Sequence, residues 1–273
     1  MTLTSLRYID AGQGETTIVL LHGLFGSPEN WRVMIDQLGD RYRFIALQLP
    51  IDHIPGRNKS DFECIGQLTE YVKAVFDEVG LEKAVLCGNS LGGQVALDFY
   101  LEYPEQVSHL ILTGSAGLFE RSLSGGRRPK VCRAMIREQI AEILYDEAAI
   151  KDELIDEVYT MLSDRGYSRF LLRIAKATRN LNMSDQLARI AIPTLIIWGA
   201  NDRITPPFVA DQFHKGIDTS QLVFIDHCGH APPLEQPEEF TRIMDEFLSK
   251  SDGSAPAEAA QTDQQTPQVY ETR

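Results

Sequence analysis

The sequence predicts an α/β fold in which a mostly parallel central sheet is flanked by helices and carries an inserted helical cap. Three observations support this class. Short apolar runs that suit buried strands alternate with longer segments of helical period. A glycine-rich turn at residues 88–93 joins one of these strands directly to a helix. One long interval, residues 118–187, is helical in pattern and contains no clear strand.

Strands and helices are predicted in alternation, which favours parallel strands joined by helical crossovers. The predicted strands lie at residues 6–8, 17–21, 43–47, 84–87, 109–112, 194–198 and 222–225. The predicted helices outside the long interval lie at residues 28–38, 65–79, 94–103, 207–213 and 237–249. Only a short turn at Gly12-Gln13-Gly14 separates the first two strands, so we expect the first strand to be antiparallel.

This pattern divides the chain into three parts. Residues 1–117 and 188–250 form the predicted core, and residues 118–187 form the predicted cap, with helices at 131–144, 147–163 and 168–180. The cap begins after a strand end, where α/β proteins carry their ligand loops, and a flexible hinge at 122–129 leads into it. Residues 251–273 contain almost no large apolar side chain, so we predict a disordered tail.

Composition excludes several classes of function. The 273 residues are 43% hydrophobic, and the formal net charge of −13 argues against nucleic acid and anionic membranes as partners. We expect no signal peptide before the first strand, and the apolar runs are too short to span a bilayer. The four cysteines form no C-x-x-C pair, which favours free thiols. We therefore expect a cytoplasmic protein. The net charge says little about a small-molecule substrate, which is the expected partner, and no cofactor or metal is expected.

The turn between the fourth predicted strand and its helix carries the first candidate catalytic residue, Ser90. The segment reads Gly88-Asn89-Ser90-Leu91-Gly92-Gly93. A sharp turn from strand to helix needs glycine on both sides, because the two backbones pass close together. This geometry strains the central residue and lifts its side chain clear of the sheet, so Ser90 is the candidate nucleophile.

A serine hydroxyl needs a base, and the base needs an orienting group. His230, on the loop after the last predicted core strand, is the candidate base, with His227 as a weaker alternative. Asp202 is the candidate orienting acid, with Asp226 as a weaker alternative. Asp202 closely follows the predicted strand at residues 194–198. Both segments are expected at the same sheet edge as Ser90.

Two backbone N–H groups are candidates for stabilising a developing oxyanion. One is that of Leu91, at the helix N-terminus beside Ser90. The other comes from the loop after the second strand, His22-Gly23-Leu24-Phe25-Gly26-Ser27, where Leu24 or Phe25 would supply it. We expect His22 to brace this loop and not to act on substrate.

Taken in chain order, these motifs resemble those of the α/β-hydrolase superfamily, in its branch of serine esterases and meta-cleavage-product hydrolases. The resemblance spans about Leu6 to Leu248 and implies this fold, a Ser-His-Asp triad and a cap inserted after the sixth strand of the family. It also implies that the family's first edge strand is missing at the N-terminus. Relatives usually carry D-x-P-G-x-G-x-S where residues 48–60 stand here, so this entrance loop is remodelled.

The resemblance favours hydrolysis of carboxylic esters, with carbon–carbon bond hydrolysis of dienoates, or lactone hydrolysis, as alternatives. A serine nucleophile argues against the dehalogenase and epoxide-hydrolase branches, which use aspartate. Asn89 and the run Gly114-Ser115-Ala116-Gly117 resemble the dienoate hydrolases. Those enzymes usually carry tryptophan after the histidine, where Ala231 stands here, and a cap arginine, for which Arg169 and Arg173 are candidates. A ligand-binding protein is a third possibility, but no triad residue is lost.

The cap is expected to form an apolar lid over a small acyl or aromatic group. The candidate lid residues are Phe119, Met135, Ile143, Leu162 and Phe170.

Overall fold

The structure is a computed structural model that describes residues 6–51, 64–121, 131–252 and 268–271. The predicted hinge at 122–129 and most of the remodelled loop at 48–60 lie outside these ranges.

Within the described residues, eight strands form one sheet in the order β7-β6-β5-β4-β2-β3-β1-β8. Strands β2 to β7 run parallel, and β1 is antiparallel to both β3 and β8. The α/β class and the antiparallel first strand are thus confirmed. The strands are β1 (Arg7–Ala11), β2 (Thr16–Leu21), β3 (Tyr42–Leu47), β4 (Ala84–Asn89), β5 (Val107–Thr113), β6 (Thr194–Gly199), β7 (Ser220–Ile225) and β8 (Gln268–Glu271).

Helices follow most strands and cover both faces of the sheet. No helix in the described part of the chain is long and apolar enough to cross a membrane. The helices are α1 (Arg32–Leu38), α2 (Gly66–Val79), α3 (Leu91–Glu102), α4 (Arg133–Ile143), α5 (Asp152–Ser163), α6 (Arg165–Asn180), α7 (Pro207–Gly216), α8 (Pro232–Glu235) and α9 (Pro237–Asp252).

The sheet separates two hydrophobic cores. Along β2, Val19 and Leu21 belong to the core under α2, α3 and α7, whereas Ile18 and Leu20 belong to the core under α1 and α9. Successive side chains of a strand point to opposite faces, so a strand buried on both faces reads as a continuous apolar run. This is why β2 and β4 could be predicted as parallel core strands.

Three helices, α4, α5 and α6, lie between β5 and β6, in the interval predicted to be a cap. Helices α4 and α5 share a small core of their own, which includes Ile136, Ile140 and Val158. Helix α6 instead packs Phe170 and Ile174 into the main core. The interval is therefore attached firmly through its last helix, while its first two helices pack mainly on each other.

The C-terminal segment differs from its prediction. Residues 268–271 form the edge strand β8, paired with β1, so the expected disorder is wrong for these four residues. The remainder of the predicted tail beyond α9 lies outside the described residues. An unpaired edge strand exposes backbone donors and acceptors, and β8 satisfies those of β1. Amino-acid composition does not predict this pairing, because hydrogen bonding along a sheet edge requires no large apolar side chains.

Ending the chain after Asp252 should lower the melting temperature by no more than a few degrees, because water can replace the hydrogen bonds of a four-residue edge strand. Calorimetry of the full and shortened chains measures this. A loss of ten degrees or more would show that the segment beyond α9 is part of the stable core.

Candidate active site

Ser90 occupies the sharp turn between β4 and α3 and has a φ of 55°, a strained value for a residue other than glycine. The flanking glycines allow this turn. A Cβ atom on Gly88 would overlap the Gly92 carbonyl, and one on Gly92 would overlap the Leu21 carbonyl. The strain predicted for Ser90 and the close backbone approach are therefore confirmed.

The structure brings the three candidate triad residues together. His230 Nε2 lies 2.9 Å from Ser90 Oγ, and His230 Nδ1 lies 2.8 Å from Asp202 Oδ2. His230 and Asp202 are both buried. Their loops follow β7 and β6, whose carboxyl ends meet at the same sheet edge as that of β4. This chain of contacts can pass a proton from the serine to the imidazole and stabilise the imidazolium that forms.

The two weaker alternatives lie elsewhere. His227 is exposed, and its ring packs edge-on against Tyr145 at 5.4 Å. Asp226 is exposed just after β7.

Asp202 is fixed by donors that the sequence analysis did not identify. Its Oδ1 accepts the N–H groups of Ile204 at 2.8 Å and Thr205 at 2.9 Å. Its Oδ2 accepts the Thr205 hydroxyl at 2.8 Å in addition to the contact with His230. A threonine three residues after an aspartate is a common turn pattern, and only the fold reveals that it orients this carboxylate.

The loop that carries His230 is also held from both sides. Asn89 Nδ2 donates to the carbonyl oxygens of His230 and Thr113, both at 3.1 Å. Glu235 accepts the N–H groups of Gly229 at 3.0 Å and Ala231 at 2.9 Å. Sequence reasoning missed Glu235, whose position in the short helix α8 offers only a weak signal. These contacts hold the imidazole without using either ring nitrogen.

His22 braces the loop after β2, as predicted. Its Nδ1 lies 2.8 Å from the Gly23 carbonyl, and its Nε2 accepts the Leu49 N–H at 3.1 Å. Because Nε2 accepts a backbone N–H, the ring proton is on Nδ1 and the imidazole is neutral. Gly23 passes close to Ser90, since a Cβ atom on Gly23 would lie 3.0 Å from the Ser90 Cβ.

Both candidate oxyanion donors lie beside Ser90. Leu24 lines the adjoining cavity, and Leu91 is the first residue of α3. Within the described residues, no hydrogen bond engages the N–H of either leucine. Both groups can therefore donate to a ligand.

A cavity of about 210 Å³ opens over Ser90 and His230. Its walls are mostly apolar and come from α4, α5 and the loops at the carboxyl edge of the sheet. The apolar side chains that line it include Leu24, Trp31, Ile136, Ile140, Ile143, Leu144, Leu154, Val158, Leu162 and Ile204.

Only part of the predicted lid lines this cavity. Ile143 and Leu162 do, but Met135 packs into the small core of α4 and α5, and Phe170 lies in the main core. Phe119 is exposed and packs on the ring of Phe208. For Met135 and Phe170 the error concerns helical phase, because one residue rotates a side chain by about 100° around a helix. Phe119 lies in the loop after β5, where no helical period applies. Apolar character alone did not indicate which face of α4 or α6 points inward.

The charged lining is unexpected. The cavity contains the carboxylate side chain of Glu120, and no arginine or lysine among the described residues lines it. The candidate cap arginines, Arg169 and Arg173, are exposed on α6 and do not line it. No group of described side chains is suited to hold a metal ion.

Opposing influences set the pKa of His230. Burial disfavours the charged imidazolium and therefore lowers the pKa. The carboxylate of Asp202, followed by those of Glu120 and Glu235, outweighs burial and raises the pKa above its ordinary value of 6.5. The imidazole acts as a base only when it is neutral, so a raised pKa moves the loss of activity on acidification to higher pH.

The acid limb of the profile of kcat/KM against pH is therefore expected above pH 6.5. Initial rates in buffers of constant ionic strength measure it. An acid limb at or below the ordinary histidine value would contradict the electrostatic role of these carboxylates.

Comparison with known proteins agrees with this arrangement. A family described as the Alpha/beta hydrolase family matches residues 18–243. The 2-hydroxy-6-oxononadienedioate/2-hydroxy-6-oxononatrienedioate hydrolase of Paraburkholderia xenovorans (strain LB400) is 30% identical over 268 residues, covering 89% of this chain and 90% of that protein. Two solved structures are also similar. MGS-MChE2, an alpha/beta hydrolase enzyme from the metagenome of sediments from the lagoon of Mar Chica, Morocco, is 34% identical, with a TM-score of 0.71 and coverage of 90% of this chain and 95% of that one. A thermophilic esterase from Thermogutta terrifontis is 27% identical, with a TM-score of 0.72 and coverage of 90% and 93%.

Proposed function

This chain belongs to the alpha/beta hydrolase family and is a hydrolase, and on that premise we propose that it cleaves carboxylic esters of small acyl or aryl compounds through an acyl-enzyme. Ser90 is the nucleophile, His230 is the base and Asp202 orients the base. The N–H groups of Leu24 and Leu91 stabilise the oxyanion.

The proposed reaction has two halves. His230 Nε2 takes the Ser90 proton as Oγ attacks the ester carbonyl, and it returns that proton to the departing alcohol. Water then attacks the acyl-enzyme with His230 again as base, which releases the acid and restores Ser90. In each half, negative charge develops on the carbonyl oxygen, where two preorganised N–H donors act most strongly.

The observation that carries the choice of an ester is the charge of the cavity. The hydrolase of Paraburkholderia xenovorans is named for substrates that are dioates, which carry two carboxylates. A carboxylate brought into this cavity would face Glu120 with no lysine or arginine among the described lining residues to pair with it. Burying an unpaired charge beside a like charge is costly, whereas a neutral ester avoids that cost.

Carbon–carbon bond hydrolysis of a dienoate is the second candidate. Lactone hydrolysis is a form of the first candidate, because a lactone is a cyclic ester. The dienoate reading is supported by the 30% identity to the Paraburkholderia enzyme and by Asn89 beside the nucleophile. Against it, Ala231 follows His230, where the resembled enzymes usually carry tryptophan.

We also propose that residues 118–187 act as a cap that sets substrate choice. Helices α4 and α5 supply much of the apolar wall, and the volume of about 210 Å³ is small for a ligand pocket. The volume of the cavity suits a short acyl group or one aromatic ring better than a long acyl chain.

Measuring kcat/KM for an aryl acetate, a long-chain ester and a ring-fission dienoate tests the proposed function. The aryl acetate should be the best substrate by about tenfold or more. The long acyl chain fits the cavity poorly, and the dienoate brings a carboxylate towards Glu120. The Ser90→Ala variant supplies the background rate. If the dienoate were the best substrate instead, the carbon–carbon hydrolase would replace the esterase.

A further inference from the structure

Glu120 is the acidic side chain of the cavity that the proposed triad does not use. It lies on the loop after β5 and shares the cavity wall with Ser90 and His230. The next residue anchors this loop, since the Arg121 N–H donates to the Ile204 carbonyl at 2.8 Å. Glu120 Oε2 accepts the Thr178 hydroxyl of α6 at 3.3 Å. The Thr178 hydroxyl also donates to the Ala175 carbonyl at 3.1 Å, so its proton is shared between the two oxygens. The contact places the Glu120 carboxyl group in the cavity wall that also contains Ser90 and His230.

The charged groups that act on Glu120 are His230, Arg179 and Asp202. The pKa of Glu120 is raised above its ordinary value, because burial, the largest influence, and Asp202 together outweigh the lowering by His230, the Thr178 hydroxyl and Arg179. A cation beside the carboxyl group would favour its charged form. Arg179 is exposed and does not line the cavity. A ligand in the cavity therefore meets the carboxyl of Glu120 before it meets any fixed positive charge of the described residues.

The surface beside this cavity is acidic as well. A second, wider depression adjoins the cavity, and the residues that line both include Phe25, Asn30, Leu144 and Leu234. Among the described residues, its charged lining has one cation and five acids, and Asp156 among these acids also pairs with Arg133 at 2.6 Å. The charged residues are Lys151, Asp146, Glu153, Asp156, Glu157 and Glu235. A cleft lined by one sign of charge concentrates ligands of the opposite sign.

We propose that Glu120 is a specificity-determining residue that selects esters bearing a positively charged amine or ammonium group and rejects esters bearing a carboxylate. The inference rests on the proposed ester hydrolysis and names the class of substrate for the same site. Apolar walls suit the methyl or methylene groups around such a nitrogen, and Glu120 supplies the countercharge. A fixed opposite charge at contact distance in a partly buried site changes binding by about tenfold to a hundredfold.

Two pairs of substrates that differ only in charge test this inference. The first pair is acetylcholine, the acetate ester of choline, and the acetate ester of its carbon isostere, in which a tert-butyl group replaces the trimethylammonium group. The second pair places the same two groups on the acyl side of a phenyl ester. The ratio of kcat/KM within each pair is compared between the wild type and Glu120→Gln. Comparing these ratios cancels the intrinsic reactivity of each ester, and a purely structural role for Glu120 would change both members of a pair alike.

We expect the preference for the cationic member to fall by about tenfold or more in Glu120→Gln for at least one pair. The acid limb of the pH profile should also move to lower pH, because one of the carboxylates that raise the pKa of His230 is gone. Glu142→Gln is the matched control. Glu142 pairs with Arg121 at 3.1 Å, does not line the cavity and should leave the preference within about twofold, as expected for a screened charge.

If the neutral ester is hydrolysed but neither ratio changes in Glu120→Gln, the inference is wrong and the esterase stands. If no ester is hydrolysed, the esterase fails, and calorimetric binding of a phenolic trimethylammonium ion and its tert-butyl isostere decides the charge preference separately. A dissociation constant for the ammonium ion that rises about tenfold in Glu120→Gln, with that of the isostere unchanged, supports the inference. Equal changes for both ligands overturn it.

Discussion

Ser90→Ala is expected to lower kcat for a small aryl ester by roughly 10³-fold or more while leaving the protein folded. The change removes the Oγ atom that lies 2.9 Å from His230 Nε2, and among the described residues no other hydroxyl group forms a hydrogen bond with that nitrogen. Alanine adopts the positive φ at this turn with about the same strain as serine, so the backbone should be retained. Single-turnover and steady-state rates measure the loss, and the melting temperature reports the fold.

Ser220→Ala is a suitable control for this variant. Ser220 begins β7, at the opposite end of the strand from the loop that carries His230, and its hydroxyl donates to the Ile217 carbonyl at 2.6 Å. Its activity should stay close to that of the wild type. A Ser90→Ala enzyme with activity within tenfold of the wild type would remove Ser90 from the nucleophile's role.

Much of the fold could be predicted because its parallel strands are buried on both faces. In β2 and β4 most residues are apolar, and segments of helical period separate the strands, so the pattern has few other solutions. Strand β8 could not be predicted in this way. Its position depends on backbone pairing with β1, and the surrounding sequence has the composition of a disordered tail.

The candidate triad could be predicted for a different reason. Ser90, Asp202 and His230 each follow a strand of the parallel sheet, so topology alone brings them to one edge. Their support could not be predicted as readily, because Thr205 and Glu235 look like ordinary turn and helix residues until the loops fold together. Glu120 was missed since the sequence does not reveal which cap-region side chains face inward.

Asp202→Asn is expected to reduce kcat/KM by orders of magnitude, and the hydrogen bonds of Asp202 explain why. Oδ1 accepts two backbone N–H groups, so an asparagine would keep its carbonyl oxygen there. Its amide nitrogen would then replace Oδ2, 2.8 Å from His230 Nδ1, and would donate to that nitrogen. The imidazole proton would move to Nε2, which could no longer accept the Ser90 proton. A loss of roughly 10³- to 10⁴-fold is expected from this wrong tautomer.

Asp226→Asn is the matched comparison, since it makes the same substitution at an exposed position close to His230 in sequence. It should leave kcat/KM near the wild-type value. The acid limb of the pH profile should move to lower pH in Asp202→Asn, because the main carboxylate that raises the pKa of His230 is lost, and should remain in place in Asp226→Asn. If Asp202 had only a structural role, its replacement would lower the melting temperature without moving the acid limb of the pH profile. If Asp226→Asn were the damaging change, the orienting acid would be Asp226, and the contact between Asp202 and His230 would be structural.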